Sequence, residues 1–212
     1  MNNNSKIIQN IVKFIVISAI FITIVSMYFL LNTKPTKIVD NNATQKIAIG
    51  GDFTLTDQNG DVFDSTKLHG KYSLIYFGFT YCPDICPDSL EKITHVLNTL
   101  NSYNIKIVPI FITIDPKRDT PETLKKYATH FHQDFISLTG TDKQIKEVAN
   151  LFKVYYQVAP AQENTENYMI DHSAFMYLMD KSGHYLAHFD TSETQDVITH
   201  KIVKLLKTQK AF

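Results

Sequence analysis

The chain has 212 residues, 44% of them hydrophobic and 12% aromatic, with 21 basic side chains against 21 acidic ones. That size supplies one full hydrophobic core plus appendages and argues against a second independent domain. The balanced charge, with no dense basic stripe, argues against nucleic acid as a partner.

From Phe14 to Leu31 the chain runs FIVISAIFITIVSMYFLL, 18 residues without a charge. At about 1.5 Å per residue such a helix nearly spans a hydrocarbon core of roughly 30 Å. Asn32-Thr33-Lys34-Pro35 follows with no small-x-small cleavage site, so an uncleaved anchor is expected in preference to a signal peptide. Lys6 and Lys13 precede the run while Lys34 and Lys37 follow it, so positive charge does not fix the orientation. The expected layout is a tail over 1–10, a transmembrane anchor over 11–31, a polar linker over 32–48 and one folded domain over 49–212.

In that domain Phe53–Asp64 reads as a hairpin turning at Asn59-Gly60, and Tyr72–Phe79 as a strand apolar on both faces. Leu90, Ile93, Leu97 and Leu100 at helical spacing predict a helix that starts between Cys82 and Pro87 and ends near Asn101. Ile105–Ile114 is a second buried strand, and Thr120-Pro121 opens a helix expected to reach His132. Thr141 with Gln144, and Ser192 with Gln195, fit capping boxes for helices over 142–152 and 193–207. Ala174–Asp180 and His184–Phe189 flank Lys181-Ser182-Gly183 as an antiparallel hairpin. The order is β-hairpin, βαβ, α, ββ, α, an α/β layout with a thioredoxin-like central mixed sheet.

The only cysteines, Cys82 and Cys86, are too few to staple a scaffold, so their value lies in their own chemistry. They follow a buried strand at a helix start, where unpaired N–H groups and the positive helix end favour thiolate. Three intervening residues place the sulfurs one turn apart if the segment is helical, which suits a shared ion. A third ligand is sought at the same sheet end. His172 lies just before the strand at Ala174, in Asp171-His172-Ser173, where a thioredoxin would carry a proline. Two thiolates and one imidazole form a soft set that suits Cu(I), with Cu(II) taken by an added ligand. Structural zinc ordinarily takes four protein ligands. The cysteines alone support redox chemistry and metal binding equally.

Thr80-Tyr-Cys82-Pro-Asp-Ile-Cys86-Pro, Asp115-Pro-Lys-Arg118-Asp119-Thr-Pro and Asp171-His172-Ser173, in that order, resemble the SCO/SenC family across roughly residues 48–208. The resemblance implies a thioredoxin-like fold, copper on Cys82, Cys86 and His172, and a metallochaperone role toward the binuclear copper site of cytochrome c oxidase subunit II. It also implies one N-terminal anchor in the inner membrane, with the domain facing the periplasm or the intermembrane space.

Two other readings use the same cysteines. One is a thiol–disulfide oxidoreductase, served by a thioredoxin-like reductant, that reduces the oxidase cysteines before a copper donor loads them. The other is a copper or redox sensor in which ligand state changes a loop that a partner reads. A peroxiredoxin-type peroxidase needs threonine three residues before its cysteine, whereas Thr80 lies two before Cys82. Asp115, Arg118 and Asp119 leave the second strand at the cysteine end and either order the site or form a loop ion pair. Met169, Met176 and Met179 include candidate soft ligands, of which the last two read as core, and 162–167 reads as a mobile polar hairpin tip that gates the site or meets a partner. His69, His95, His130, His132, His184, His188 and His200 have no partner pattern.

Overall fold

The apolar N-terminal segment is one helix, α1 (Asn3–Asn32), longer than the expected span because the polar residues before it continue the helix. The computed structural model describes residues 3–32, 48–159 and 167–209, with side chains over 13–28 in the first stretch and through 208 in the last. Side chains 13–28 of α1 are exposed. The Ser18 and Thr23 hydroxyls donate back to the Ile15 and Ile20 carbonyls at 2.9 and 2.8 Å, which leaves neither group seeking an outside partner. Among the described residues no helix is long and apolar enough to cross a membrane. The expected linker lies outside the described residues except at Asn32 and Ala48.

The chain divides into two units, Met1–Lys46 and Ile47–Phe212. In the second, β1 (Thr54–Asp57) and β2 (Val62–Asp64) form the hairpin, with Gly60 at φ +88° taking the left-handed turn position. A 3₁₀ turn (Ser65–Leu68) leads to β3 (Tyr72–Gly78), α2 (Ile85–Ser102) and β4 (Ile107–Thr113), a sequence of strand, helix and parallel strand registered from Tyr72↔Ile107 to Gly78↔Thr113. Then follow α3 (Pro121–Ala128), β5 (Ile136–Thr139), α4 (Asp142–Leu151), β6 (Tyr156–Val158), β7 (Ile170–His172), β8 (Phe175–Met179), β9 (Tyr185–Asp190) and α5 (Gln195–Gln209).

Seven strands make one mixed sheet in the order β2-β1-β5-β4-β3-β8-β9, while β6 and β7 pair only with each other. Leu74, Ile75, Tyr76 and Phe77 of β3 are shielded on both faces, as a central strand requires. Leu90, Ile93, Val96, Leu97 and Leu100 bury one stripe of α2 against the sheet, each side chain worth about 1.5–3 kcal/mol of burial. Met176 and Met179 pack in this core.

Several expectations need correction. Helix α2 begins at Ile85, so Cys82 precedes it and the two cysteines do not occupy i and i+4 of one helix. Helix α3 stops at Ala128, where the Thr129 hydroxyl takes the Lys126 carbonyl and a run of turns follows. The Thr141–Gln144 capping box is present, but the Ser192–Gln195 box is not. There α5 starts at Gln195, Thr194 Oγ1 accepts from Val197 N, and the Ser192 amide instead donates to Asp190. Strand β5 and the β6–β7 ribbon had no counterpart in the expected order. Most of the expected 162–167 tip lies outside the described residues.

Candidate metal and redox site

The buried run of β3 ends at Gly78 and delivers Phe79, Thr80 and Tyr81 to the rim of the sheet, with Cys82 next. The Asp84 side chain makes no capping bond at the start of α2. The sulfur of Cys82 does that work instead, accepting the Cys86 N–H at 3.4 Å. Cys82 is partly exposed and Cys86 fully buried, and both are free thiols.

The two thiols titrate as a unit. The hydrogen bond from Cys86 holds the Cys82 thiol well below its ordinary range; burial opposes this, and the Asp84 and Cys86 backbone N–H groups reinforce it. Donating to Cys82, together with burial, drives the Cys86 thiol far up. The first negative charge therefore sits on the exposed sulfur. Burial, then the neighbouring Cys86, raises Tyr76, whose hydroxyl stays protonated and donates to Cys86 Sγ at 3.8 Å.

His172 closes β7 and is carried there by pairing with Tyr156 on β6, not by a loop entering β8. Its ring meets Phe79 and Tyr76 edge-on, with centroids 6.0 and 6.4 Å away. Nδ1 lies 3.0 Å from the Ser173 carbonyl, and a carbonyl only accepts, so Nδ1 carries the proton. The Nε2 lone pair is left facing Cys86 Sγ at 3.7 Å. Such backbone locking of one ring nitrogen is how metal-binding histidines are oriented.

The donor set is soft, and the spacing of one sulfur–nitrogen pair suits a shared metal ion. Two ligands of one ion, at metal–sulfur and metal–nitrogen distances of about 2.3 and 2.0 Å, stand roughly 3.5–3.8 Å apart. The observed 3.7 Å lies inside that range. Among the described residues no group of three or more His, Cys, Asp and Glu side chains forms a ready-made metal cluster. The three residues adjoin one another without forming a closed cage.

The loop between β4 and α3 packs against this rim. Buried Asp119 accepts from Thr113 Oγ1 at 2.6 Å, from Thr80 N at 3.0 Å and from Thr80 Oγ1. Burial raises its carboxyl against the pull of these bonds. Thr80 is thereby committed to structure, which removes the peroxidase assignment further. Buried Asp115 accepts from Arg118 Nε on one oxygen and from the Tyr168 hydroxyl, at 2.6 Å, on the other. The Arg118 guanidinium stands 3.6 Å from the Tyr168 ring centroid and 4.5 Å from that of Tyr81. Its Nη2 is buried without a hydrogen-bond partner among the described residues.

Cys82, Cys86 and His172, expected from the sequence, come together. Among the other histidines, His95, His132 and His184 lie beside local carboxylates and His188 beside the Tyr185 hydroxyl. Sequence reasoning missed Gly78, Tyr76 and Tyr168. Gly78 is needed for space: a Cβ there would lie 2.7 Å from Cys86 Sγ. A tyrosine and a glycine inside an apolar strand were the available signals for the first two. Tyr168 had none, because its partner lies 53 residues away.

The SCO1/SenC family profile matches residues 41–207. An SCO2-like protein of Rickettsia prowazekii is 49% identical over 208 residues, covering 96% of this chain and all of that protein. Yeast Sco1, solved with copper bound, superposes with a TM-score of 0.71 at 42% identity, covering 76% of this chain and 89% of the other. BsSco, described as a member of the Sco family of cytochrome c oxidase assembly proteins with a disulfide switch, superposes with a TM-score of 0.61 at 26% identity, covering 74% and 94%.

Proposed function

The chain belongs to the SCO1/SenC family and has its thioredoxin-like fold, and from that premise we propose that it binds copper through Cys82, Cys86 and His172 and hands it to cytochrome c oxidase subunit II. The observation that carries the reading is the histidine: Nδ1 held by Ser173 O, Nε2 facing Cys86 Sγ at 3.7 Å. Dithiol chemistry alone gives no reason for that arrangement. Copper would supply a soft cation held by few ligands, which suits onward transfer. The chain's own part is to keep Cys82 ionised, to hold Cys86 behind Tyr76, and to fix the imidazole tautomer.

Under the same reading, residues 1–10 are a tail, 11–31 a single-pass inner-membrane anchor, 32–48 a linker and 49–212 the copper domain. The charge-free run over 14–31 and the internally satisfied Ser18 and Thr23 support the anchor. The domain then faces the periplasm or the intermembrane space, and relatives occur in both bacteria and mitochondria.

A second reading rests on the asymmetry of the thiols. Exposed, ionised Cys82 attacks a sulfur of a disulfide in the oxidase subunit, and one subunit thiolate leaves. Cys86 then attacks Cys82 and releases the other, leaving a Cys82–Cys86 disulfide and the target reduced by two electrons. A thioredoxin-like reductant restores the dithiol. The substitution His172→Ala separates the readings: oxidase assembly in a host lacking the native gene should fail while dithiol exchange persists. Full assembly with His172→Ala would reject the chaperone reading in favour of the reductase.

A further inference from the structure

The ribbon that presents His172 has no ladder to the sheet that presents the cysteines. Strands β6 and β7 pair with each other through Tyr156↔His172, Gln157↔Asp171 and Val158↔Ile170, and with no strand of the seven-stranded sheet. After His172 the chain enters β8 and is fixed by the main sheet. Before it, a backbone bond from Val154 N to the Ala149 carbonyl at 2.8 Å ties the start of β6 to the end of α4, and side chains set the rest of the ribbon's position. Ile170 and Val154 contribute burial, which is non-directional.

A directional side-chain contact is made at Tyr168. Its hydroxyl donates to Asp115 Oδ1 at 2.6 Å, and its ring lies 3.6 Å from the Arg118 guanidinium. The Asp115 carboxylate is 3% exposed and uses its second oxygen on Arg118 Nε, so acid and base lock each other. On its far side Arg118 meets Tyr81, the residue before Cys82. Planar stacking on two rings together with an Nε–carboxylate bond is a task for Arg and not for Lys. One guanidinium thus touches the approach to the histidine and the approach to the first cysteine. The cysteine loop has an anchor of its own in Asp119–Thr80.

We infer that Tyr168, Asp115 and Arg118 form a positioning cage that sets the gap between Cys86 and the His172 imidazole, so that it governs how tightly copper is held and leaves dithiol chemistry untouched. The inference rests on the copper reading. Tyr168 is a positioning residue acting through His172. Removing its hydroxyl leaves the ring stack and frees the ribbon to shift along the direction that the bond had fixed.

The test uses the full chain in detergent, with Tyr168→Phe, Arg118→Lys, His172→Ala and the Tyr168→Phe/His172→Ala double variant. Anaerobic competition for Cu(I) against a chromophoric chelator should show Tyr168→Phe weakening binding about tenfold, the lower end of the range for partners of metal ligands. In the copper-free protein, amide exchange at Asp171 and Ser173 should quicken while the alkylation rate of Cys82 against pH stays as in the wild type. Arg118→Lys should weaken copper binding as well, since it keeps the charge and loses the stack. In the His172→Ala background, Tyr168→Phe should cost nothing further, whereas general destabilisation would add. Unchanged affinity with Tyr168→Phe, or an additive loss in the double variant, overturns the cage. Wild-type affinity with His172→Ala overturns the copper reading instead.

Discussion

Replacing Gly78 by Ala tests how closely the Cys86 sulfur is packed. Gly78 has ordinary strand conformation, so the substitution imposes no backbone strain and probes space alone. The added Cβ would lie 2.7 Å from Cys86 Sγ and 3.1 Å from ring carbons of both Phe111 and Tyr76. Ordinary contact begins near 3.4 Å, so the sulfur must retreat by 0.7 Å, from 2.7 to 3.4. Both rings are fully buried and cannot give way cheaply. Overpacking of this kind costs about 1–3 kcal/mol. At roughly 2–4 °C per kcal/mol for a domain of this size, the melting temperature should fall by several degrees. The same displacement is large against the 3.7 Å gap between Cys86 Sγ and His172 Nε2, so Cu(I) affinity should drop at least about tenfold. Calorimetry of the copper-free chain and chelator competition measure the two effects. A melting temperature within 1 °C of wild type, together with unchanged affinity, would show that Cys86 is not held as described, on the order of magnitude used here.

Two further outcomes follow from the site. Because the folded Cys82 pKa is depressed, its thiolate persists as pH falls below the range where a free thiol protonates. Iodoacetamide should therefore label native Cys82 at nearly the same rate at pH 8 and pH 6, whereas the urea-unfolded chain should slow on the order of 80-fold; equal slowing in both would remove the low-pKa assignment. Asp119→Ala leaves the Thr80 amide and the Thr113 hydroxyl without their acceptor. This should cost about 2–4 kcal/mol and speed amide exchange at Thr80, and a melting temperature equal to wild type would contradict it.

The long apolar elements were legible because burial on both faces leaves an unbroken run: Tyr72–Phe79 and Ile105–Ile114 became β3 and β4 nearly as read. The Thr141 cap was legible because its partners lie three residues apart. Strand β5 escaped notice because Ile136–Thr139 has only four residues and is half polar in composition. The β6–β7 ribbon has only three residues on each side, too short a run for the alternation in Tyr156-Gln157-Val158 to stand out. At the site, residue types with unusual chemistry announced Cys82, Cys86 and His172, but not how they are held. That Cys82 caps α2 depends on where the helix starts, which is uncertain by a turn from sequence alone. The Tyr168–Asp115–Arg118 cage joins segments that only the folded chain brings together.

The central claim is that two thiols and one imidazole hold a single copper ion. Anaerobic Cu(I) titration of the full chain, with wild type beside Cys82→Ser, Cys86→Ser and His172→Ala, tests it most directly. One tightly held copper is expected in the wild type, with loss of tight binding in each of the three variants. Stoichiometric copper at wild-type affinity in His172→Ala would contradict it and leave the cysteines as a redox pair.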